Sequence, residues 1–325
     1  MSLPLSGDRA AGKGRPRLRG RCTLGGAARL GMGALLVLGV GCNREPAGGA
    51  PAGPVPLVSF AELAADDRSG LSGLAADERG VLWTVPERQP FLVEIPGGGA
   101  RPRSIPVRGV PDGLELEALA WLGQDRFAIG TEAGCHGGAE RILLVRRDGA
   151  EARVEGTIEL SLTIWPAPCD LRHGIEGLCH AGGQLVVALE QALDPGQGGR
   201  VAPVARIDLA TGKATPFRVA LTSATGKLSA LECRARGDTL EVVAIERHFE
   251  VSRVLGFALP AAGPADPSPL RARVLFDLAS HTRGGKRNFE GVVWRDEHRL
   301  VLITDNHYGK VTGPSEMAEA EPGAP

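Results

Sequence analysis

The 325-residue chain carries 37 Lys and Arg against 38 Asp and Glu, so its net charge of −1 gives no electrostatic reason to expect a nucleic acid partner. Gly makes up 46 residues, roughly twice the usual share of about 7%. Short apolar runs nevertheless recur along the whole chain, which excludes a disordered protein and favours turn-rich β structure.

Residues 1–41 have the order of a bacterial secretory signal peptide. The basic segment KGRPRLRGR is followed by 12 uncharged residues, Leu30 to Gly41, and then by Cys42. This run is shorter than the ~20 residues that span a bilayer. Gly41-Cys42 resembles a lipoprotein signal, although Gly39 stands where Leu is usual, so we expect Cys42 to be lipidated and residues 42–54 to form a tether.

The leader therefore predicts a protein of the bacterial cell envelope, anchored in the periplasm, at the outer membrane, through a lipid alone. Simple secretion is the alternative. Both outcomes place the folded part outside the cytoplasm, where disulfides persist.

Four cysteines remain beyond the leader and the anchor: Cys135, Cys169, Cys179 and Cys233. The first two lie in loops with Gly or Pro, EAGCHGG and WPAPCDLRHG, so Cys135–Cys169 is the first disulfide we predict. Four buried thiols are an alternative. A Cys/His zinc site is another, but the spacing differs from that of structural zinc sites.

Five stretches of the chain repeat one plan of an apolar strand, a polar turn, a second apolar strand and an acidic end. They read LSGLAADERGVLWTVPER, LEALAWLGQDRFAIGTEA, IEGLCHAGGQLVVALE, LSALECRARGDTLEVVAIER and FEGVVWRDEHRLVLITDN. The aligned early positions are Ser72, Glu117, Glu176, Ser229 and Glu290. The aligned terminal acids are Glu87, Glu132, Glu190, Glu246 and Asp305.

These repeats predict an all-β protein with one β-propeller domain over residues 55–312. Successive units start roughly 45 to 60 residues apart, which suits four-stranded blades with loop insertions. We predict five blades, with six as the alternative. Residues 55–60, VPLVSF, are expected to close the ring as the outer strand of the fifth blade, and residues 313–325 to form a disordered tail.

The first, third and fifth repeats resemble the phytase-like ("esterase-like activity of phytase") family and the related SdiA-regulated propellers. The fifth repeat ends in Thr304-Asp305-Asn306, where the family has a Ser-Asp-Asn-like tripeptide. The resemblance covers roughly residues 55–312. It implies a β-propeller and calcium-linked hydrolysis of phosphoesters.

The two acidic sets are expected at one mouth of the central channel, because the strands of a hairpin run antiparallel. Carboxylates so close need cations. Calcium, which prefers oxygen ligands, is the cofactor we expect. The candidate metal ligands are Glu117, Glu176, Glu190, Glu290 and Asp305.

Arginine pairing is the structural alternative to calcium. Arg88 and Arg247 follow Glu87 and Glu246 directly, and Arg172 and Arg287 precede Glu176 and Glu290. Such pairs would let the carboxylates lock neighbouring blades together without any bound ion.

The sequence supports two functions. We favour a monomeric binding or scaffold protein that meets a small anionic ligand or an envelope partner. The alternative is a calcium-dependent phosphoesterase or esterase. The residues expected to bind the anion are Arg88, Arg172, Arg247 and His248. His173 and His307 are the candidate general acids or bases.

Overall fold

The computed structural model describes residues 60–62, 70–97, 100–132, 138–165, 167, 174–194, 199–248, 250–278, 287–305 and 314–322. Their regular secondary structure is β-strand apart from one short 3-10 helix, Leu162–Ile164, so the prediction of an all-β protein is confirmed. Within the described ranges, no helix has the length and apolarity to cross a membrane.

Strand β1, Phe60–Glu62, comes first, and groups of antiparallel strands follow it along the chain. The first two groups are β2 (Leu71–Ala76), β3 (Leu82–Pro86), β4 (Phe91–Ile95) and β5 (Arg103–Arg108), then β6 (Glu115–Gly123), β7 (Arg126–Glu132), β8 (Ala139–Asp148) and β9 (Glu151–Ser161). The outermost strands β5 and β9 pair in parallel, which joins these two groups into one sheet.

Three further groups complete the described chain. They are β10 (Ile175–Ala181), β11 (Gln184–Leu189), β12 (Val201–Asp208) and β13 (Ala214–Ala220), then β14 (Lys227–Arg236), β15 (Thr239–His248), β16 (Val251–Pro260), β17 (Leu270–Arg271) and β18 (Arg273–Asp277), and finally β19 (Asn288–Trp294), β20 (Leu300–Asp305) and β21 (Glu316–Ala320). Strand β17 pairs with β13 of the preceding group, and β18 pairs with β16.

The first strands of the groups pack against one another in a closed circuit. Strand β2 contacts β6, β6 contacts β10, β10 contacts β14, β14 contacts β19, and β19 returns to β2. Two buried serines bridge this circuit, because Ser72 Oγ donates to the Glu117 carbonyl (2.5 Å) and Ser229 Oγ donates to the Phe289 carbonyl (3.0 Å).

The hydrophobic core lies between consecutive groups rather than within one sheet. One cluster joins Trp83 of β3 to Phe127 of β7, whose rings meet edge to face with centroids 5.2 Å apart. Other clusters join the second group to the third, the third to the fourth, the fourth to the fifth, and the fifth back to the first. Each sheet is therefore apolar on both faces and depends on both neighbours.

The two ends of the described chain meet in the last sheet, whose strand order is β1-β21-β20-β19. An N-terminal strand does lie at the outer edge, and its described part is Phe60–Glu62, which shares Phe60 with the predicted segment 55–60. Residues 55–59 lie outside the described part.

The prediction of a disordered tail over 313–325 is wrong for Glu316–Ala320, which form β21. Its side chains alternate between more and less buried positions, with Ala318 and Ala320 in the core. Arg287 contributes as well, because its guanidinium binds the Glu316 carboxylate through two nitrogens while both side chains are buried. The sequence does not reveal this strand, because its five residues include two alanines and two glutamates.

A disulfide joins the third and fourth groups. Cys179 of β10 and Cys233 of β14 are bonded and almost fully buried, with Cα atoms 5.6 Å apart. Cys179 is thus no zinc ligand, which removes the Cys/His alternative. Cys135 and Cys169 lie outside the described residues, and their pairing stays a prediction.

Candidate functional site

A β-bulge or register irregularity lies at or next to the early position of each repeat. The strand register shifts at Glu117, Glu176, Ser229 and Glu290, and directly after Ser72 in the first repeat. A bulge adds one residue to a strand and turns its side chain out of the usual alternation. All five residues are buried, with at most 4% of their surface exposed. The two serines hold neighbouring strands, which leaves three buried glutamates at equivalent places.

The terminal acid of a repeat lies beside the start of the next repeat's inner strand. Leu116 N donates to the Glu87 carbonyl (2.8 Å), and a Cβ added to Gly174 would lie 2.5 Å from the Glu132 Cα atom. Asp305 occupies the space beside Gly70, where an added Cβ would lie 1.6 Å from its Oδ1 atom. The early and terminal acids thus meet at the same end of the strands.

We call this assembly the acidic cluster. Its carboxylates belong to Glu87, Glu115, Glu117, Glu132, Glu176, Glu190, Glu290 and Asp305. Two basic side chains, Lys227 and Arg247, lie among them and are largely buried, with 23% and 15% of the side chain exposed. All five metal ligands predicted from the sequence belong to the cluster.

Burial is the main cause of the altered pKa values in the acidic cluster. It raises the pKa of Glu290 to about 8 and that of Glu176 to about 7, although the positive charges of Arg247 and Lys227 act against it. The pKa of Glu117 also rises well above its ordinary value, through burial and the charge of Glu176. Carboxyl groups with such pKa values hold protons or need cations near neutral pH.

The pKa values of two further acids of the cluster, Glu87 and Glu132, are raised as well. Burial, together with the charges of Asp305 and Glu290, raises the pKa of Glu87 to about 8. Burial and the charge of Glu115 raise the pKa of Glu132 to about 7. Because Glu115 and Glu132 are directly opposite on β6 and β7, two like charges face each other across one strand pair.

The buried cations neutralise one side of the acidic cluster. Lys227 forms an ion pair with Glu190, and Arg247 forms one with Glu290. Asn288 Nδ2 donates to Glu290 Oε1 (2.6 Å) and to Asp305 Oδ2 (3.4 Å). The arginine pairing considered from the sequence is therefore present for Glu290.

Other residues singled out from the sequence have different surroundings. Glu246 accepts hydrogen bonds from the Ser223 backbone and hydroxyl (3.0 and 2.7 Å) and therefore anchors a loop. Arg88 is largely exposed, with its Nε atom 3.4 Å from Glu115 Oε1, and His248 is exposed at the end of β15. Arg287 binds Glu316 and not Glu290.

Several predicted residues lie outside the described part of the chain. They are the candidate acid–base histidines His173 and His307, the candidate anion ligand Arg172, the lipidation site Cys42, and the cysteines Cys135 and Cys169.

Sequence reasoning missed Glu115, Lys227 and Asn288. Each stands two residues before the early position of its repeat, where the other repeats have Gly70 and Gly174. Alignment of the repeats at this position would have found them. The position combines polar side chains of different charge with glycines, and so it shows no single residue type.

The acidic cluster fits a hard cation. The carboxylate oxygens of Glu115, Glu117 and Glu132 lie within 4.8 Å of one another. Glu176 Oε2 and Glu290 Oε2 are buried and have no hydrogen-bond partner among the described residues. Buried oxygens without a partner point to an ion or water.

Structural comparison finds neighbours of low sequence identity. The luciferin-regenerating enzyme is 12% identical, with a TM-score of 0.49 over 82% of this chain and 96% of that chain. The PQQ-bound aldose sugar dehydrogenase of Streptomyces coelicolor is 13% identical, with a TM-score of 0.47 over 84% and 99%. Virginiamycin B lyase of Staphylococcus aureus is 11% identical, with a TM-score of 0.38 over 82% and 99%.

No curated protein sequence matches the chain. One family profile does match, over residues 67–308, and its description is phytase-like, esterase-like activity of phytase. This range contains all five repeats and every member of the acidic cluster. The chain therefore belongs to the phytase-like family.

Proposed function

We propose that the protein is a five-bladed β-propeller that binds its ligand at the acidic cluster, at one mouth of the central channel. The closed circuit of inner strands and the core between each pair of consecutive groups support five blades. The single observation that carries the binding function is the excess of buried carboxylates over the two buried cations at one end of these strands.

The ligand is a hard divalent cation, and calcium is the cofactor we propose. The cluster offers carboxylate oxygens, which calcium prefers and of which it takes six to eight. The unpartnered oxygens of Glu176 and Glu290 support the same conclusion. In this function the bound cation forms part of the propeller surface to which a small anionic ligand or an envelope partner binds.

Isothermal titration calorimetry of the full chain, freed of metal with EDTA, tests this function. We expect calcium chloride to bind and Glu176→Gln to weaken binding by at least about tenfold, because one charged ligand is lost. A wild-type protein that binds neither calcium nor magnesium would refute it.

A metal-assisted phosphoesterase or esterase is the second candidate, favoured by the family that the chain matches. A bound divalent cation would polarise a phosphoryl or acyl oxygen. Arg88 is exposed beside Glu115, so its guanidinium is accessible to an anionic substrate. Arg247 is less suited to this role, because it is buried and paired with Glu290.

Hydrolysis of p-nitrophenyl phosphate and p-nitrophenyl acetate tests the second candidate. The rates are compared with calcium, with EDTA and after Glu176→Gln. An enzyme that uses the cluster should lose most of its rate in both cases. Turnover that neither change affects would exclude hydrolysis at this site.

We also propose export and lipid anchoring at Cys42, with secretion as the alternative. The buried Cys179–Cys233 disulfide supports an oxidising compartment. Membrane fractionation of cells that express the wild type or Cys42→Ala tests the anchor. The wild type should be found with the membrane and the variant should be soluble, and equal distribution of the two would contradict anchoring.

A further inference from the structure

The acidic cluster is unevenly neutralised. On the side of β14, β15 and β19, Lys227 pairs with Glu190 and Arg247 pairs with Glu290. Asn288 donates to both Glu290 and Asp305. The acids on this side thus have cationic or amide partners, although Glu290 Oε2 has no hydrogen-bond partner among the described residues.

Among the described residues, the side of β6 and β7 has no buried cation that pairs with its acids. Glu115, Glu117 and Glu132 bring carboxylate oxygens within 4.8 Å of one another. The nearest cation that pairs with them in the described structure is Arg88, which stands 3.4 Å from Glu115 with 69% of its side chain exposed. The charge of Lys227 also reaches Glu132 and lowers its pKa, although Lys227 itself pairs with Glu190. Three acids thus share a place where their charges repel.

A second observation comes from the next inner strand. Glu176 of β10 is only 4% exposed, and its Oε2 atom has no hydrogen-bond partner among the described residues. Of the charged groups around Glu117, Glu176 has the largest effect. The charge of Glu132 in turn raises the pKa of Glu176. Burying a carboxylate oxygen without a partner costs free energy. Glu176 is therefore a fourth carboxylate beside this group that requires a cation.

The ligand set favours calcium over magnesium. Calcium takes six to eight oxygen ligands in a flexible geometry and readily accepts several carboxylates. Magnesium usually keeps several waters and is bound through one or two carboxylates. Three acids that each bring an oxygen within 4.8 Å of the others, with Glu176 beside them, therefore suit calcium better. The four side chains offer no nitrogen or sulfur, which disfavours zinc.

We infer that Glu115, Glu117, Glu132 and Glu176 form a calcium site that lies off the propeller axis, between the second and third blades. The site rests on the proposed binding function and makes it more specific. The ion is held by these four carboxylates. Glu190 and Glu290 instead pair with Lys227 and Arg247, and Asp305 accepts a hydrogen bond from Asn288. The sequence-based ligand set is thereby divided into ligands and structural acids.

The test compares variants on the two sides of the acidic cluster, each as the full chain freed of metal with EDTA. Calcium affinity is measured by calorimetry, and the melting temperature is measured with and without calcium. Glu115→Gln and Glu132→Gln should each weaken calcium binding by at least about tenfold and abolish the rise in melting temperature. Asp305→Asn, the matched control, should keep the affinity within about threefold of the wild type.

The metal-free melting temperature separates lost binding from lost folding. Glu115→Gln and Glu132→Gln remove a repulsion between opposed charges, so without calcium they should melt at or above the wild-type temperature. If Asp305→Asn melts far below the wild type, Glu190→Gln takes its place as the control.

Two results would overturn the inference, and they differ in meaning. Calcium binding that survives Glu115→Gln and Glu132→Gln but is lost in the control places the ion elsewhere in the cluster, while the proposed function stands. A wild type that binds no calcium refutes both the site and the proposed function.

Discussion

Glu290 lies between opposing influences on its charge. Arg247 binds its Oε1 atom and Asn288 donates to the same oxygen, while the Oε2 atom is buried without a partner in the described structure. The effect of burial exceeds that of the Arg247 charge and raises the pKa of Glu290 to about 8. The pKa of Glu87 is raised to about 8 as well. Without a bound metal ion, such pKa values favour the protonated form of these carboxyl groups at neutral pH.

This protonation predicts a dependence of stability on pH. An unfolded glutamate has a pKa of about 4.3, so the folded protein binds protons that the unfolded chain releases. The stabilisation is complete below about pH 4.3 and is lost as the pH rises through about 8. We expect the metal-free protein to melt at least about 5 °C lower at about pH 8.5 than at about pH 6.

Glu290→Gln provides the control for this prediction. The amide stays neutral at every pH, so the fall in melting temperature should be smaller than in the wild type. A wild-type melting temperature that is equal at both pH values would show that Glu290 and Glu87 are ionised throughout.

The residues of the acidic cluster differ in how well the sequence predicted them. Glu117, Glu176 and Glu290 recur at one position of a repeat, so an alignment of the repeats identifies them. Lys227 and Asn288 occupy a position where the other repeats have glycine or glutamate. Which acid pairs with which cation depends on how adjacent groups of strands pack together. The sequence of a single strand does not determine this packing.

At the scale of single elements, the inner strands approach one another closely at the bulges. Gly73 has φ +64°, and a Cβ at this residue would lie 2.6 Å from the Leu119 backbone nitrogen on β6. The glycine is therefore required both by its own conformation and by the neighbouring strand. A side chain here would push β2 and β6 apart.

Gly73→Ala should destabilise the protein by about 3 kcal/mol or more, from the strained conformation and the backbone clash together. Gly80 is a matched control, since its φ is +76° but nothing lies within 4 Å of an added Cβ. Gly80→Ala should therefore lose only about 1 kcal/mol. Chemical denaturation measures both values, and equal losses would show that the strand approach is unimportant.

The disulfide between β10 and β14 gives a second prediction at this scale. Its cysteines are 54 residues apart, and closing a loop of this length stabilises a protein by about 4 kcal/mol in the chain-entropy description. The double variant Cys179→Ser, Cys233→Ser should lower the free energy of unfolding by about 2–5 kcal/mol. An unchanged denaturation midpoint would mean that the bond is absent in solution.

At the scale of the whole molecule, the last sheet depends on a buried ion pair. Arg287 and Glu316 are 7% and 8% exposed, and the backbone N–H of Glu316 donates a hydrogen bond to Thr304 Oγ1 (2.8 Å). The pair fixes β21 against β20 and so completes the sheet that β1 closes.

Arg287→Ala should lower the free energy of unfolding by about 3–5 kcal/mol, because it leaves the Glu316 carboxylate buried without its cation. Arg295→Ala is the control, since Arg295 forms an exposed pair with Glu319 at 3.8 Å, worth at most about 1 kcal/mol. Similar losses in the two variants, measured by urea denaturation, would contradict the importance of the closing pair.

The sequence predicts the architecture better than its closure. The alternating apolar strands and polar turns of the repeats indicate the hairpins, because both faces of each sheet must be buried. The segment Glu316–Ala320 does not look like a strand, since Ala and Glu have low β-propensity. Its burial results from a space that β1, β20 and Arg287 create together, and such a space is a property of the assembled ring.

The pairing of β1 with β21 also sets the order in which the protein can fold. Phe60 lies opposite Ala318, so the first described strand finds its partner only after nearly the whole chain has been synthesised. Until then the last sheet keeps an unpaired edge and its core face is open. Contacts between distant parts of a chain form slowly, and open strand edges invite aggregation. Ring closure is therefore the step at which we expect this protein to need most protection during its folding.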